Sequence, residues 1–307
     1  MKNVLITGGA GFIGSHTVDL LLHNNISVTV FDNLSSGRRE YLPASHPLLR
    51  FIEADVLDFP AVKRAVSACD AVLHLAAMAS VPKSLEDPVQ SLLVNTQGCL
   101  HILQAIREVS HPVRFVYASS AAVYGNTLAL PCAEAASRAA LLSPYALQKA
   151  HDEDYADLYA RLFSIPSLGL RYFNVYGLRQ DPQSPYSGVI SRFLKAYEQN
   201  AELTIFGDGQ QSRDFISVHD VAQANYLALQ RDGHGVLNIA TGVPETLLSF
   251  VEYLQAAGGK PAQLCFLPAR LGDIAQSYAA IERAKQVLGF SYTVSLKEGV
   301  SKLLKSL

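Results

Sequence analysis

The chain has 307 residues, 49% of them hydrophobic and 17% charged, with a formal net charge of −2. Such a chain fills one large core or two unequal ones, and the near-neutral balance without a long basic run excludes the electrostatic footprint of a nucleic-acid binder. No apolar run approaches the ~20 residues that span a bilayer, so neither nucleic acid nor membrane is an expected partner. Met1-Lys2-Asn3 leads directly into an apolar run with no signal-peptide pattern, which makes the cytoplasm the expected location. Cys69, Cys99, Cys132 and Cys265 are scattered without metal-ligand spacing and read as reduced structural thiols, so no metal is expected.

In chain order, Val4, Leu5 and Ile6 form a short apolar run that ends in glycines, and the sequence from Phe12 and Ile13 onward reads as a helix. The glycines therefore sit on a strand-to-helix turn. Gly8, Gly11 and Gly14 lack the Cβ atoms that would keep a pyrophosphate off the backbone, and the N–H groups of the helix start point at an anion there. A second strand, 26–31, ends at Asp32 and Asn33, with Asp32 placed where a dinucleotide fold puts the carboxylate that binds the adenosine ribose. That carboxylate would repel a 2′-phosphate and argues for NAD; Arg38 and Arg39 are the counter-signal, since arginines near this strand can accept the phosphate of NADP.

Further strand-like runs at 49–53, 71–74, 113–118 and 166–170 alternate with helical patterns, which predicts a doubly wound parallel sheet over 1–170. Ligands of such a sheet lie beyond the carboxyl ends of its strands. Asp55-Val56 follows the third strand, Leu75-Ala76-Ala77 the fourth and Ser119-Ser120 the fifth. Asp55 either faces the adenine or serves as a cap or turn residue for the helix beginning near Asp58. Asp87-Pro88 opens a helix running to about Val109, inside which Asn95 needs a buried partner and is expected to hold backbone near the active-site strand. Ser143-Pro144 then caps a helix that carries Tyr145 and Lys149 four apart on one face, where an ammonium would favour the phenolate of a nearby tyrosine.

The Gly-x-x-Gly-x-x-Gly spacing, followed by Tyr145-x-x-x-Lys149, resembles the extended short-chain dehydrogenase/reductase superfamily, which has a Rossmann domain and a smaller C-terminal α/β domain. The second domain is then expected over 171–307, with crossovers back to the first sheet. The resemblance implies that the glycine loop with Phe12 and Ile13, the Asp32-Asn33 and Asp55-Val56 pairs, and Leu75 to Ala77 line the NAD site. Asn95, Tyr145, Lys149 and Tyr172 complete it. Counting back from Tyr124-Gly125 makes Ser120 the catalytic hydroxyl. Ser119 is the near alternative, and a shift of one residue would put Ala121 in the slot.

Ala121 and Ala122 stand where the family's sugar dehydratases carry Asp-Glu, so the site lacks a second acid and base and suits oxidation and reduction at one carbon, as in an epimerase. In the second half, resemblance to the UDP-hexose 4-epimerases implies that Asn174, Val189, Phe206, Arg213, Arg270 and Asp273 hold the UDP-sugar. It also places Ser277 beside the sugar C2 substituent, where a small side chain leaves room for an N-acetyl group; Tyr278 is one position away. The pattern is most similar to bacterial UDP-N-acetylglucosamine 4-epimerases of surface polysaccharide synthesis, which implies UDP-N-acetylglucosamine and UDP-N-acetylgalactosamine as the interconverted pair, and a homodimer built on the two helices after the fourth and fifth strands. A nucleotide-sugar dehydrogenase or reductase, and a non-catalytic NAD-binding regulator, are the alternatives.

Overall fold

Val4, Leu5 and Ile6 lie fully buried in β1 (Asn3–Thr7) of a computed structural model that describes residues 2–181, 189–269 and 274–306. Successive residues of a strand point to opposite faces of its sheet, and here both faces are covered. Val4 and Ile6, with Val28 and Val30 of β2 (Ser27–Asp32), pack against Val18 and Leu21 of α1 (Phe12–His23). Leu5 and Phe31 point the other way, into a layer formed by Val62 of α2 (Phe59–Val66) and Ile102 of α5 (Gly98–Glu108). Each such buried aliphatic side chain contributes about 1.5–3 kcal/mol, so a polar-out alternation would have nothing to gain in these strands.

The remaining strands are β3 (Leu49–Glu53), β4 (Ala71–His74), β5 (Arg114–Ser120), β6 (Ser167–Tyr172), β7 (Asn174–Tyr176), β8 (Leu203–Phe206), β9 (Ser212–Ser217), β10 (Gly235–Ile239), β11 (Pro244–Thr246), β12 (Leu264–Leu267) and β13 (Gln276–Ser277). Among the described residues, the main sheet runs β10-β6-β5-β4-β1-β2-β3 with every neighbour pair parallel. This is the doubly wound Rossmann arrangement expected from the alternation. The order reverses between β1 and β4, and that switch point is where the loops after these strands part to leave a crevice. β10 joins the far edge of the sheet from the second half of the chain.

A smaller sheet is organised on β9, which pairs with β7 and β13 in parallel and with β11 in antiparallel fashion, while β8 and β12 form a separate parallel pair. Phe193 of α7 (Val189–Glu198), Ile205, Phe215 and Phe250 fill the core beneath. The long helix α6 (Pro144–Phe163) begins as expected: the Ser143 hydroxyl accepts the Ala146 N–H at 3.1 Å, and Pro144 opens the first turn. Among the described residues, no helix is long and apolar enough to cross a membrane.

One predicted helix is three pieces. The stretch expected to run from Pro88 to about Val109 is α4 (Pro88–Leu92), a π-helical turn (Leu93–Gln97) and α5, preceded by a short α3 (Val81–Glu86). The wide turn carries Asn95 inward, where its Oδ1 accepts the Met78 N–H at 2.7 Å and its Nδ2 donates to Gln148 Oε1 at 2.7 Å. Such bulges insert one residue without breaking the helix and occur at functional sites.

Candidate active site

The crevice at the switch point is shaped by absent side chains. Gly8 adopts φ +70, and a Cβ there would lie 2.7 Å from the Ala76 amide nitrogen, so the loop after β1 touches the loop after β4. A Cβ at Gly14 would collide with the Gly8 carbonyl oxygen, which fixes how closely α1 approaches the loop. Gly11 is the N-cap of α1 and offers no side chain to its first N–H groups, and no acidic residue lies in the first turn. Those N–H groups, at Phe12, Ile13 and Gly14, lack intrahelical partners and carry the positive end of the helix dipole. Thr7 and His74 close the floor with a 2.7 Å hydrogen bond, and burial, with Lys149 adding to it, drives His74 down to about 3, so its ring is neutral.

At the end of β2, Asp32 is buried and both its oxygens accept backbone N–H bonds, from Ala10 at 2.9 Å and Leu34 at 2.8 Å. Its carboxylate thereby orders the glycine loop, and each oxygen keeps a lone pair for a ribose hydroxyl. Asn33 donates to Asp55 Oδ2 at 2.7 Å, while Asp55 Oδ1 accepts from Leu57. The cap of α2 is Asp58, whose side chain accepts from Ala61, so Asp55 is not the capping residue. Val56 is buried and its carbonyl accepts from His101, and Leu75, Ala76 and Ala77 are half-buried beside Gly8. Arg38 is shared between Glu40 and Asp181, and Arg39 lies 5.0 Å over the Phe51 ring.

Ser119 and Ser120 part company at the end of β5. Ser119 is buried and its hydroxyl donates to Glu153 Oε1 at 2.5 Å, so it belongs to the core. Ser120 caps the 3-10 turn Ala121–Tyr124 by accepting the Ala122 N–H at 3.2 Å, which leaves its own O–H as a donor. Tyr145 is half-buried at the start of α6, and its N–H donates to the Ser84 hydroxyl at 3.2 Å. One turn further, Lys149 is 2% exposed and its Nζ donates to the Ala118 carbonyl at 3.0 Å and to Asp152 Oδ2 at 3.1 Å. The ammonium is thus pinned two residues before Ser120, on the helix face it shares with Tyr145.

Two candidate cofactor contacts have their polar atoms engaged elsewhere. Asn95 is fully buried, and its amide is committed to Met78, Ser91 and Gln148. The Tyr172 hydroxyl donates to Asn225 at 2.6 Å, within the core layer between β6 and α8 (Val218–Gln230). Burial raises its pKa, so the phenol is an inert structural donor.

In the second half, Asn174 is exposed on β7, while Val189 at the start of α7 and Phe206 at the end of β8 are half-buried. Ser277 pairs with Arg213 in the parallel β13–β9 register, so these two side chains share a face of the small sheet, and Tyr278 follows the end of β13. Asp214 is fully buried and accepts from Thr241, Gly242 and Ala279; Asp220 is tied to Thr293 and Val294. Arg270 and Asp273 lie outside the described residues.

With this geometry in place, comparison with known proteins is decisive: residues 4–240 match the NAD dependent epimerase/dehydratase family. The chain belongs to that family. A UDP-N-acetylglucosamine 4-epimerase from Methanobrevibacter ruminantium, solved in complex with UDP-N-acetylmuramic acid, is 37% identical and superposes with a TM-score of 0.94 over 99% of this chain and 97% of that one. The UDP-glucose 4-epimerase of Thermus thermophilus, solved with NAD, is 35% identical with a TM-score of 0.88 over 99% of this chain and 98% of that one. The UDP-glucose 4-epimerase of Mycolicibacterium smegmatis is 35% identical over 98% of this chain and 97% of its own length.

The family's cofactor is NAD, and the site fits it on its own terms. The glycine cradle would be filled by a Cβ, α1 begins without a capping side chain, and the buried Asp32 carboxylate suits a ribose hydroxyl and would repel a 2′-phosphate. Ser84, Gln148, Asp152, Glu153 and Arg171, which bond to these side chains or to one another, are not singled out by the sequence reading. The usable signal was Arg171, a charge in a strand otherwise made of buried residues, which has to meet a buried partner.

Proposed function

We propose that this protein interconverts UDP-N-acetylglucosamine and UDP-N-acetylgalactosamine at C4 with tightly retained NAD. C4 epimerisation of a UDP-sugar is the activity named for the relatives described above, and the grouping of Ser120, Tyr145 and Lys149 beside the NAD crevice is the observation that carries it. NAD, when bound, supplies reversible uptake of hydride from the sugar carbon. Tyr145 takes the C4 hydroxyl proton as that carbon is oxidised to a 4-keto sugar, and returns it on reduction. Lys149 stabilises the phenolate, and Ser120 shares the proton with the sugar oxygen. The 4-keto sugar turns over between the two half-reactions, so net redox is zero. Ala121 and Ala122 provide no further acid or base, which distinguishes this site from a dehydratase.

The N-acetylated substrate is favoured by Ser277, small and on the same sheet face as Arg213, and by the similarity to the Methanobrevibacter enzyme. Two similar relatives named UDP-glucose 4-epimerases make the non-acetylated pair the second reading. Proton NMR of the anomeric signals, with each UDP-sugar incubated without added NAD, separates them. Conversion of UDP-N-acetylglucosamine supports the first reading; conversion of UDP-glucose alone sinks it. Ser277→Tyr is expected to lower kcat/KM for the acetylated sugar by at least about tenfold while sparing UDP-glucose, since filling a pocket by even a methylene costs that much. Equal losses on both sugars would refute a C2 pocket at this position.

Leu85, Val89 and Leu147 are 60%, 68% and 46% exposed on α3, α4 and the first turn of α6, where these helices meet. This apolar strip is where we expect a second copy to pack. Light scattering after size-exclusion chromatography tests it, and a monomer at micromolar concentration would refute it.

A further inference from the structure

We propose that Asp152 is the counter-ion that keeps Lys149 protonated inside the protein and, through Lys149, sets the ionisation of Tyr145. The roles of Tyr145 and Lys149 rest on the epimerase reading; the ionic arrangement rests on geometry. Asp152 lies three residues after Lys149 on α6, and the bonded side chains are 1% and 3% exposed. Lys149 spends a second N–H on the Ala118 carbonyl, which leaves its third for the cleft. The other oxygen of Asp152, Oδ1, is buried with no hydrogen-bond partner among the described residues. Lys149 is thus the partner that the described residues give this carboxylate.

No other group near the pair can replace it. Cys99 faces it from α5 and Tyr117 from β5, and burial raises both so that they stay neutral. His74, from β4, is neutral because burial pushes it down to about 3. Glu153 on α6 is ionised but bonded to Arg171, Arg138 and Ser119. Burial acting on Lys149 favours loss of its proton, and Asp152 first and Tyr145 second reverse this, so the ammonium ends above its ordinary value. Asp152 bears the consequence, with burial pushing its carboxyl up to about 6.

Removing the Asp152 charge acts on Tyr145 with two possible signs. If Lys149 held its proton unaided, loss of a nearby negative charge would favour the phenolate and Tyr145 would ionise at lower pH. If Lys149 depends on Asp152, the ammonium is lost first and Tyr145 ionises at higher pH. The test is a phenolate absorbance titration of the full chain with NAD bound, each protein referenced to its own Tyr145→Phe counterpart. Asp152→Asn is expected to move the Tyr145 transition upward by at least one pH unit, and Asp152→Glu to leave it near that of the parent. A transition that is unchanged or moves downward in Asp152→Asn overturns the proposal. Asp152→Ser, with room for a water, takes its place if the Asn chain does not fold. The titration needs no turnover, so a protein that titrates as described and converts no UDP-sugar would refute the epimerase reading and leave the counter-ion intact.

Discussion

Tyr145→Phe is expected to lower kcat for UDP-sugar conversion by about 10²–10⁴-fold, the range over which a positioned acid–base group accelerates proton transfer, while NAD remains bound. The phenyl ring keeps the shape of the side chain, and the main-chain bond from residue 145 to Ser84 does not involve the hydroxyl. Lys149 is held by Ala118 and Asp152, and the glycine cradle is formed by β1, β4 and α1, so nothing that shapes the cofactor site is removed. What disappears is the phenol oxygen that takes the C4 hydroxyl proton and returns it. Anomeric NMR gives the rate, and release of nucleotide from the denatured protein gives its NAD content. A rate within tenfold of the parent at full NAD content would assign the proton transfer elsewhere, with Ser120 next in reach; a lost rate with lost NAD would mean that the substitution had disturbed the fold.

Much of this site is readable from local signals. Strands such as Val4 to Ile6, buried on both faces, announce themselves as apolar runs, and of the glycines that follow, Gly8 fits against Ala76 and Gly14 against Gly8 only because they lack a Cβ. Ser143 and Pro144 mark the start of α6 to the residue, which places Tyr145 and Lys149 on a known face. What was not legible depends on distant partners. Asn95 holds the Met78 backbone as expected, but the π-turn that carries it there, and its bond to Gln148, have no local signal. Nor does anything local announce that Asn225 from α8, far along the chain, claims the Tyr172 hydroxyl. That Ser277 shares a sheet face with Arg213 is a matter of register, and register exists only once β13 has paired with β9.

The largest stability effect is expected at Arg171→Met. Arg171 and Glu153 form a forked pair, Nε to Oε1 at 2.8 Å and Nη2 to Oε2 at 2.7 Å, with side chains 5% and 4% exposed. The same guanidinium donates to the Tyr124 hydroxyl at 2.9 Å, and that hydroxyl in turn reaches Asn238 on β10, so one residue links β6, α6 and the far edge of the sheet. Methionine preserves the volume and leaves Glu153 charged and buried, with Arg138 as its remaining cation; Arg138 is 31% exposed and also serves Asp154. Breaking one side of a buried pair typically costs about 3–5 kcal/mol, and urea denaturation should show a loss of that size. Burial by itself raises the Glu153 carboxyl, but Arg171, with help from Ser119 and Arg138, more than reverses this and holds it below its ordinary range. Its contribution is therefore complete above the unfolded value near 4.3 and is lost as pH falls through the depressed folded value. The deficit of Arg171→Met against the parent should shrink as pH is lowered through that window. Arg171→Met combined with Glu153→Leu removes the stranded charge and should recover part of the stability. A double variant no more stable than the single would place the cost in lost packing and lost bonds to Tyr124 and Ser119, not in the uncompensated carboxylate.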